Sequence, residues 1–420
     1  LLFINSKFIS NYNQFEYQSD KMKKILFLAD RFYPSTEVQL EVVYSQLIQQ
    51  HKYSVVFIMR CRENKKLFEV KRYNSSIVIA VKSPRRDNLF TRQIINVTLL
   101  GYMIPIAIRL KPDIIQVRNW TWGLFMGIII RFLNKIPLVF QYTYPRDYTL
   151  QQKAQQGKIA SRIRSFCELF WLNYFIRYPD AILPISNTMK KALIAQGIKT
   201  KIIYPLGMGY NSIIDIKSKE SDRIKNDLQI INNDIVMYFG TMDEGRKLEF
   251  LMNVWKDVLT FVDNNLILVL TGGELSNIER LSKYADKLNI SNRVLFTGFL
   301  KNRKDVYRLL KTALYSVSPI PPTPMYNVSS PTKLYESLGL GCPVIGNDLP
   351  EQGAVLRKSK GGICVKYDKD QFVKAMTYLA NNKAHSKKLG NQGKDYVLKN
   401  RSYEHITHDL VKIYNNHVLP

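Results

Sequence analysis

From residue 22 onward, short apolar runs rich in β-branched residues alternate with segments of helical length. The first six are ILFLAD (25–30), SVVFIM (54–59), SIVIAV (76–81), DIIQV (113–117), PLVFQY (137–142) and AILPIS (181–186). A run that is apolar at nearly every position is a strand buried on both faces, and strand-helix-strand alternation builds a parallel sheet covered on both sides. The pattern pauses in the polar stretch PLGMGYNSIIDIKSKESDRIKNDLQIINND and then restarts with IVMYFG (235–240), LILVLTGG (266–273), RVLFTG (293–298), ALYSVS (313–318), CPVIGN (342–347) and GICVKY (362–367). The chain is therefore read as two doubly wound α/β domains, 22–205 and 206–390. Helices over 391–420 either complete the second domain or cross back onto the first. Ligands of such sheets bind outside the carboxyl ends of the strands, which is where candidate chemistry is sought.

Length and composition agree with this division. A chain of 420 residues exceeds one ordinary core of roughly 150 residues. With 46% hydrophobic and 23% charged residues it is neither disordered nor fibrous. The four cysteines, Cys61, Cys167, Cys342 and Cys364, show no zinc or disulfide spacing, so a reducing, cytoplasmic setting is expected. Residues 1–21 are expected to be an extraneous tail, with translation starting at Met22.

Net charge changes the picture more. The sum is +27, and residues 1–200 hold 30 basic against 12 acidic side chains, so +18 of it lies in the first half. Such an excess attracts polyanions, whether phosphorylated substrates or anionic lipid. Nucleic acid is not an expected partner, because charge is the only feature that points to it and no nucleic-acid module is visible.

The most informative segment is SPTKLYESLGLGCPVIGNDLPE, Ser330 to Glu351. Ser330 suits an N-cap and Pro331 the first helical position, with Leu334, Leu338 and Leu340 forming an inner face. The first-turn amides, with Thr332 and Lys333, make a ready anion site, and Glu336 lies within reach of a sugar hydroxyl. By local spacing alone, a capped helix packed on the CPVIGN strand explains the segment equally well. A second segment, YFGTMDEGRKLEFLMNVW, places Gly240 and Thr241 at a strand end and Arg246 and Lys247 before a helix. Phosphate approaches backbone at such junctions.

Taken together, these residues resemble the donor site of the GT-B retaining glycosyltransferases, close to glycosyltransferase family 4. The resemblance implies two Rossmann-like domains facing across a cleft. It also implies transfer of a sugar, with retention, from a nucleotide-diphosphate sugar to a glycan or lipid-linked acceptor at the cytoplasmic membrane face. No cofactor or bound metal is implied. Glu336 would hold the ribose hydroxyls, and Arg246, Lys333 and the helix start at Ser330, Pro331 and Thr332, through its free amides, the diphosphate, with Lys247 as a further source of charge. Thr271 and Gly272 at a strand end, and Phe299 and Leu300 where the nucleobase would pass, fall in matching order. The pattern departs at two places: Val328 stands where the family has an earlier glutamate, and Thr241 where it has an arginine.

The match in the first domain is thinner. Ser35-Thr36-Glu37 replaces a glycine pair after the first strand, and an early histidine has no counterpart. Arg118, Trp120, Trp122 and Arg146 at strand ends are the acceptor candidates, since cations bind phosphorylated acceptors and aromatic rings stack on sugars. The segment KIASRIRSFCELFWLNYFIR (158–177) mixes arginines with aromatic residues. It reads either as a core helix or as a surface for peripheral contact with an anionic membrane. Two alternatives to a transferase remain: an epimerase on the same fold, whose acid-base signature is not visible, and a catalytically impaired homologue that binds a nucleotide sugar or a partner.

Overall fold

The computed structural model describes residues 22–35, 37–83, 102–145, 150, 159–214, 216, 218–262 and 265–419. The chain divides into two compact units, one of residues up to Gly207 together with Tyr403–Pro420, the other of Met208–Ser402.

Unit 1 is built on a seven-stranded sheet of order β3-β4-β2-β1-β5-β6-β7. Its strands are β1 (Lys23–Phe32), β2 (Tyr53–Cys61), β3 (Phe68–Tyr73), β4 (Ser76–Lys82), β5 (Ile114–Arg118), β6 (Leu138–Tyr142) and β7 (Ala181–Pro184). Every pairing is parallel except that of β3 with β4. The sequence reading passed over β3. Its run FEVKRY alternates apolar and polar residues on an edge, so it lacks the continuous apolar stretch that marks the buried strands. The β3–β4 turn is made by Asn74, which adopts the left-handed conformation at φ 53°. Helix α1 (Thr121–Asn134) lies close on the sheet, and a Cβ on Gly127 would come within 2.7 Å of the Leu138 side chain. Helices α2 (Ile159–Phe175) and α3 (Asn187–Ala195) flank β7 in sequence.

Unit 2 carries a six-stranded, all-parallel sheet of order β10-β9-β8-β11-β12-β13. The strands are β8 (Asp234–Phe239), β9 (Leu266–Thr271), β10 (Val294–Gly298), β11 (Tyr315–Ser318), β12 (Val344–Asn347) and β13 (Gly362–Val365). Its helices are α4 (Ser218–Asp227), α5 (Glu249–Val258), α6 (Leu275–Lys287), α7 (Arg303–Thr312), α8 (Thr332–Gly339), α9 (Pro350–Ser359), α10 (Lys369–Asn381) and α11 (Lys383–Asn400). The chain steps outward from β8 through β9 to β10, then returns to the other side of β8 with β11. This reversal between β8 and β11 opens a crevice above their carboxyl ends.

The C-terminal segment is split between the units. Helix α11 stays in unit 2 because Val397 packs with Leu338 and Val355, while Gly390 approaches so closely that a Cβ there would lie 2.0 Å from the Gly341 carbonyl oxygen. Helix α12 (Tyr403–Ile413) and Tyr414 enter the unit 1 core, where Tyr403, Ile406, Leu410 and Tyr414 are fully or almost fully buried beside Ile48 and Tyr53. The Tyr414 hydroxyl donates to the Gln116 side-chain carbonyl in mid-sheet.

Removing four such side chains costs ~1.5–3 kcal/mol each, a sum comparable to the whole stability of a domain at ~5–15 kcal/mol. A chain ending at Ser402 is therefore expected to lose the calorimetric unfolding transition of unit 1 and keep that of unit 2. An unchanged profile would show that the segment contributes nothing to the core.

Candidate functional site

The crevice of unit 2 is lined at β8 by Gly240, whose φ of +121° is easily reached only by a residue without a Cβ. Its amide donates to the Thr271 carbonyl at 2.9 Å, and Gly272 packs on it from β9 so tightly that a Cβ on Gly272 would lie 2.5 Å from the Gly240 carbonyl oxygen. The Gly272 amide in turn donates to the Gly298 carbonyl at 2.7 Å. Three adjacent strand ends are thus drawn together, with no side chain between them at Gly240, Gly272 and Gly298.

Two cations converge on this edge. Lys333, in the first turn of α8, holds its ammonium 4.1 Å from the centre of the Tyr238 ring, and a Cβ on Gly240 would lie 3.0 Å from its Nζ. Arg246 comes from the single 3₁₀ turn Glu244–Arg246, donates from Nε to the Thr241 hydroxyl at 3.0 Å, and lies 4.8 Å from the Tyr326 ring centre. Among the described residues neither cation has a carboxylate within salt-bridge distance. Burial pushes the Lys333 ammonium well below its ordinary pKa, the neighbouring Arg246 lowers it further, and Glu336 and Asp243 only partly oppose this. A pair of cations held by ring faces and a hydroxyl, beside a glycine turn and a helix N-terminus, is arranged for a polyanion such as a diphosphate.

Glu336, one turn further along α8, is 4% exposed. Its Oε1 accepts from Arg303 Nη2 at 2.6 Å and from the Tyr307 hydroxyl at 2.7 Å. Although burial works against it, the carboxylate holds the Arg303 guanidinium above its ordinary pKa. The Tyr307 hydroxyl is raised by burial first and by Glu336 second. The pair fixes one oxygen of Glu336. Arg303 and Tyr307 were not singled out from sequence. The available signal was their spacing of four on a helix that starts just past a strand end, with Asn302 capping it through the Lys304 amide.

Other expectations meet different surroundings. Helix α8 starts at Thr332 with Pro331 as its N-cap, one residue later than expected. Ser330 does not cap it, because its hydroxyl turns back to accept from the Met208 amide at 3.3 Å. Lys247 is exposed in the left-handed conformation at the end of its turn. Thr271 is 2% exposed, and its hydroxyl has no hydrogen-bond partner among the described residues. Phe299 stands 70% exposed beside Gly298, whereas Leu300 packs against a cluster containing Ile235 and Leu310. Val328 is buried after the helical turn Pro324–Asn327, so no carboxylate projects from that position. The expectation that the chain contains no Asp-x-Asp triplet is corrected by Asp368-Lys369-Asp370. Asp368 caps α10 through the Gln371 amide at 3.0 Å, and Lys369 pairs with Asp257 at 2.8 Å.

In unit 1, Arg118 ends β5 and is already engaged, by Glu37 at 3.0 Å and Gln39 at 2.7 Å. Trp120 is a buried N-cap of α1, stacked closely enough that a Cβ on Gly123 would lie 2.5 Å from its ring. Trp122 is 37% exposed. Arg146 lies outside the described residues. Sequence spacing also missed the buried amide chain behind Arg118, in which Gln141 donates to Gln39 at 3.1 Å and Gln116 to the Tyr44 hydroxyl at 2.7 Å.

Comparison with known proteins follows the same division. Residues 220–396 match the model of glycosyl transferases group 1, and residues 37–205 that of glycosyltransferase family 4. Among solved structures, the fold is similar to sucrose-phosphate synthase from Thermosynechococcus elongatus, with TM-score 0.71, 14% identity, and coverage of 94% of this chain and 98% of that one. Anabaena HepE in complex with UDP-glucose gives TM-score 0.68 at 14% identity over 93% and 99%. An E. coli structure described as trehalose-6-phosphate, bound with UDP-2-fluoro glucose, gives 0.67 at 9% over 95% and 100%. A Haemophilus influenzae protein described as an uncharacterized glycosyltransferase is 26% identical over 213 residues, a match that covers 50% of this chain and just over half, 57%, of that relative. The chain is a GT-B protein with two Rossmann-like units, resembling glycosyltransferase family 4.

The depressed Lys333 pKa gives a sign to test. A bound diphosphate favours the charged ammonium, so binding takes up a proton wherever the free lysine is neutral. Affinity for UDP is expected to fall as pH rises through the interval between the lowered free pKa and the restored bound one. Isothermal titration in buffers of different ionisation enthalpy should show proton uptake, which Lys333→Met should abolish.

Proposed function

We propose that the protein transfers a sugar, with retention of anomeric configuration, from a nucleotide-diphosphate sugar to a glycan or lipid-linked acceptor in polysaccharide or glycolipid assembly. The observation that carries this reading is the convergence of Lys333 and Arg246 on the glycine-lined end of β8, at the crevice of a parallel sheet. Breaking the anomeric bond leaves a nucleoside diphosphate whose negative charge grows in the transition state. Cations and amides fixed before the reaction stabilise that charge without reorganising. Glu336, its Oε1 held by Arg303 and Tyr307, would accept from the ribose hydroxyls, and the exposed Phe299 would lie against the base. UDP and UDP-glucose in the Anabaena HepE structures support uracil as the first base to try.

The buried Val328 favours a second reading. A chain lacking that carboxylate contact to the donor sugar would bind the nucleotide sugar and not turn it over, acting as a binding or partner subunit.

Thermal-shift titration with UDP, GDP, ADP and CMP tests the donor site. One nucleotide, expected to be UDP, should raise the melting temperature. Lys333→Ala, Arg246→Ala and Glu336→Ala should each weaken it about tenfold or more, the worth of a charge-assisted hydrogen bond. Absence of any shift in a folded protein would remove the donor site. A shift without sugar transfer to lipid-linked or free glycan acceptors would select the binding subunit.

A further inference from the structure

Helix α2 is apolar on its outer face. It buries Ser165, Leu172 and, just past its end, Ile176. At ~100° per residue, Ile159, Ile163, Phe166, Phe170 and Tyr174 fall within about 80° of one another on the opposite side. They are 75%, 61%, 67%, 56% and 48% exposed respectively. An amphipathic helix in a soluble domain turns its apolar stripe inward, so this helix is inverted.

The stripe continues onto neighbouring elements. Trp171 is 48% exposed, with its ring 5.4 Å from that of Phe170. Tyr174 reaches Tyr178 by a hydroxyl hydrogen bond of 2.8 Å, and the Tyr178 ring meets Phe132 at the end of α1 at 6.4 Å. Phe132 and Leu133 are 61% and 63% exposed. A contiguous apolar patch of this kind on a monomer marks a docking surface.

Charge identifies the occupant. Arg162 and Arg164 are exposed on either side of the stripe, and Arg177 and Lys135 stand exposed near its far end. Glu168 is the only acidic residue of the helix. Phenylalanine and isoleucine on the crest, tryptophan and tyrosine beside them and guanidinium groups at the flanks match the depth profile of a bilayer surface, from acyl boundary through interface to anionic headgroups. No helix among the described residues is long and apolar enough to cross a membrane. We infer that α2, with the end of α1, seats unit 1 in the interface of an anionic bilayer, lying in its plane without spanning it.

Vesicle flotation tests this with the full chain. Wild type should float with phosphatidylcholine–phosphatidylglycerol vesicles and stay down with phosphatidylcholine alone. F166S/F170S should lower the bound fraction roughly tenfold or more, and R162E/R164E should remove the preference for anionic lipid. Both double variants alter exposed side chains, so their melting temperatures should match wild type and confirm folding. Their nucleotide-induced thermal shift should also persist, since the donor residues lie in unit 2. This separates failure of the membrane surface from failure of the donor site. Flotation unchanged by F166S/F170S would overturn the inference. So would a concentration-dependent dimer in lipid-free light scattering that the same variant abolishes, which would make the patch a protein interface.

Discussion

Lys333 and Arg246 repel each other, and unit 2 nevertheless holds both at one strand end. Lys333 is kept there by the geometry of α8 and by the face of Tyr238, Arg246 by the Thr241 hydroxyl and the face of Tyr326. Neither holder is an anion, so the repulsion is not neutralised in the free protein. Burial first, and this repulsion second, depress the pKa of Lys333. A site that carries unneutralised charge in advance gains it back when a polyanion enters, which is the energetic basis of preorganised electrostatic stabilisation. The glycines follow from the same constraint, because any side chain at Gly240 or Gly272 would occupy the space in which cation and strand ends meet.

Glu336 and Arg118, each a buried member of an ion pair, illustrate two opposite uses of such a pair. The Arg303–Glu336 pair leaves the carboxylate beside the crevice with only one oxygen fixed, ready to orient a neutral hydrogen-bond donor. The Arg118–Glu37 pair is continued by Gln39, Gln141, Gln116 and Tyr44 into the middle of the unit 1 sheet. That chain ends on Tyr414, so the arginine helps tie the C-terminal segment into the core. Its charge is already satisfied, unlike that of Lys333.

The two units also differ in where their apolar surface goes. Unit 2 buries the inner faces of α5 and α10 in one cluster around Trp255 and Phe372. Unit 1 buries the sheet and the returning α12, yet leaves the aromatic crest of α2 in water. Apolar residues at helical spacing are therefore no guarantee of a core helix. What decides is which side of the helix meets the sheet.

Among the described residues, twelve of the thirteen strands could be read from mostly apolar runs: central strands buried on both faces leave no room for polar alternation, and the half-buried edge strands β10 and β13 are still largely apolar. The edge strand β3, half in water, could not. The Gly240 turn, Arg246, Lys333 and Glu336 could be read because helix starts and strand ends constrain residue type locally, and the reversal of strand order brings those ends together. Local patterning could not show that Arg303 and Tyr307 hold Glu336, that Ser330 turns away from its helix to Met208, or that Trp120 is buried rather than open to a sugar. Nor could it show that Tyr414 closes a core that begins almost four hundred residues earlier. Sequence by itself determined the elements and the chemistry at their ends, because those are set by neighbours along the chain. Only the tertiary structure decided which charges are already partnered and which helix face meets water, because burial and ion pairing depend on groups distant in sequence.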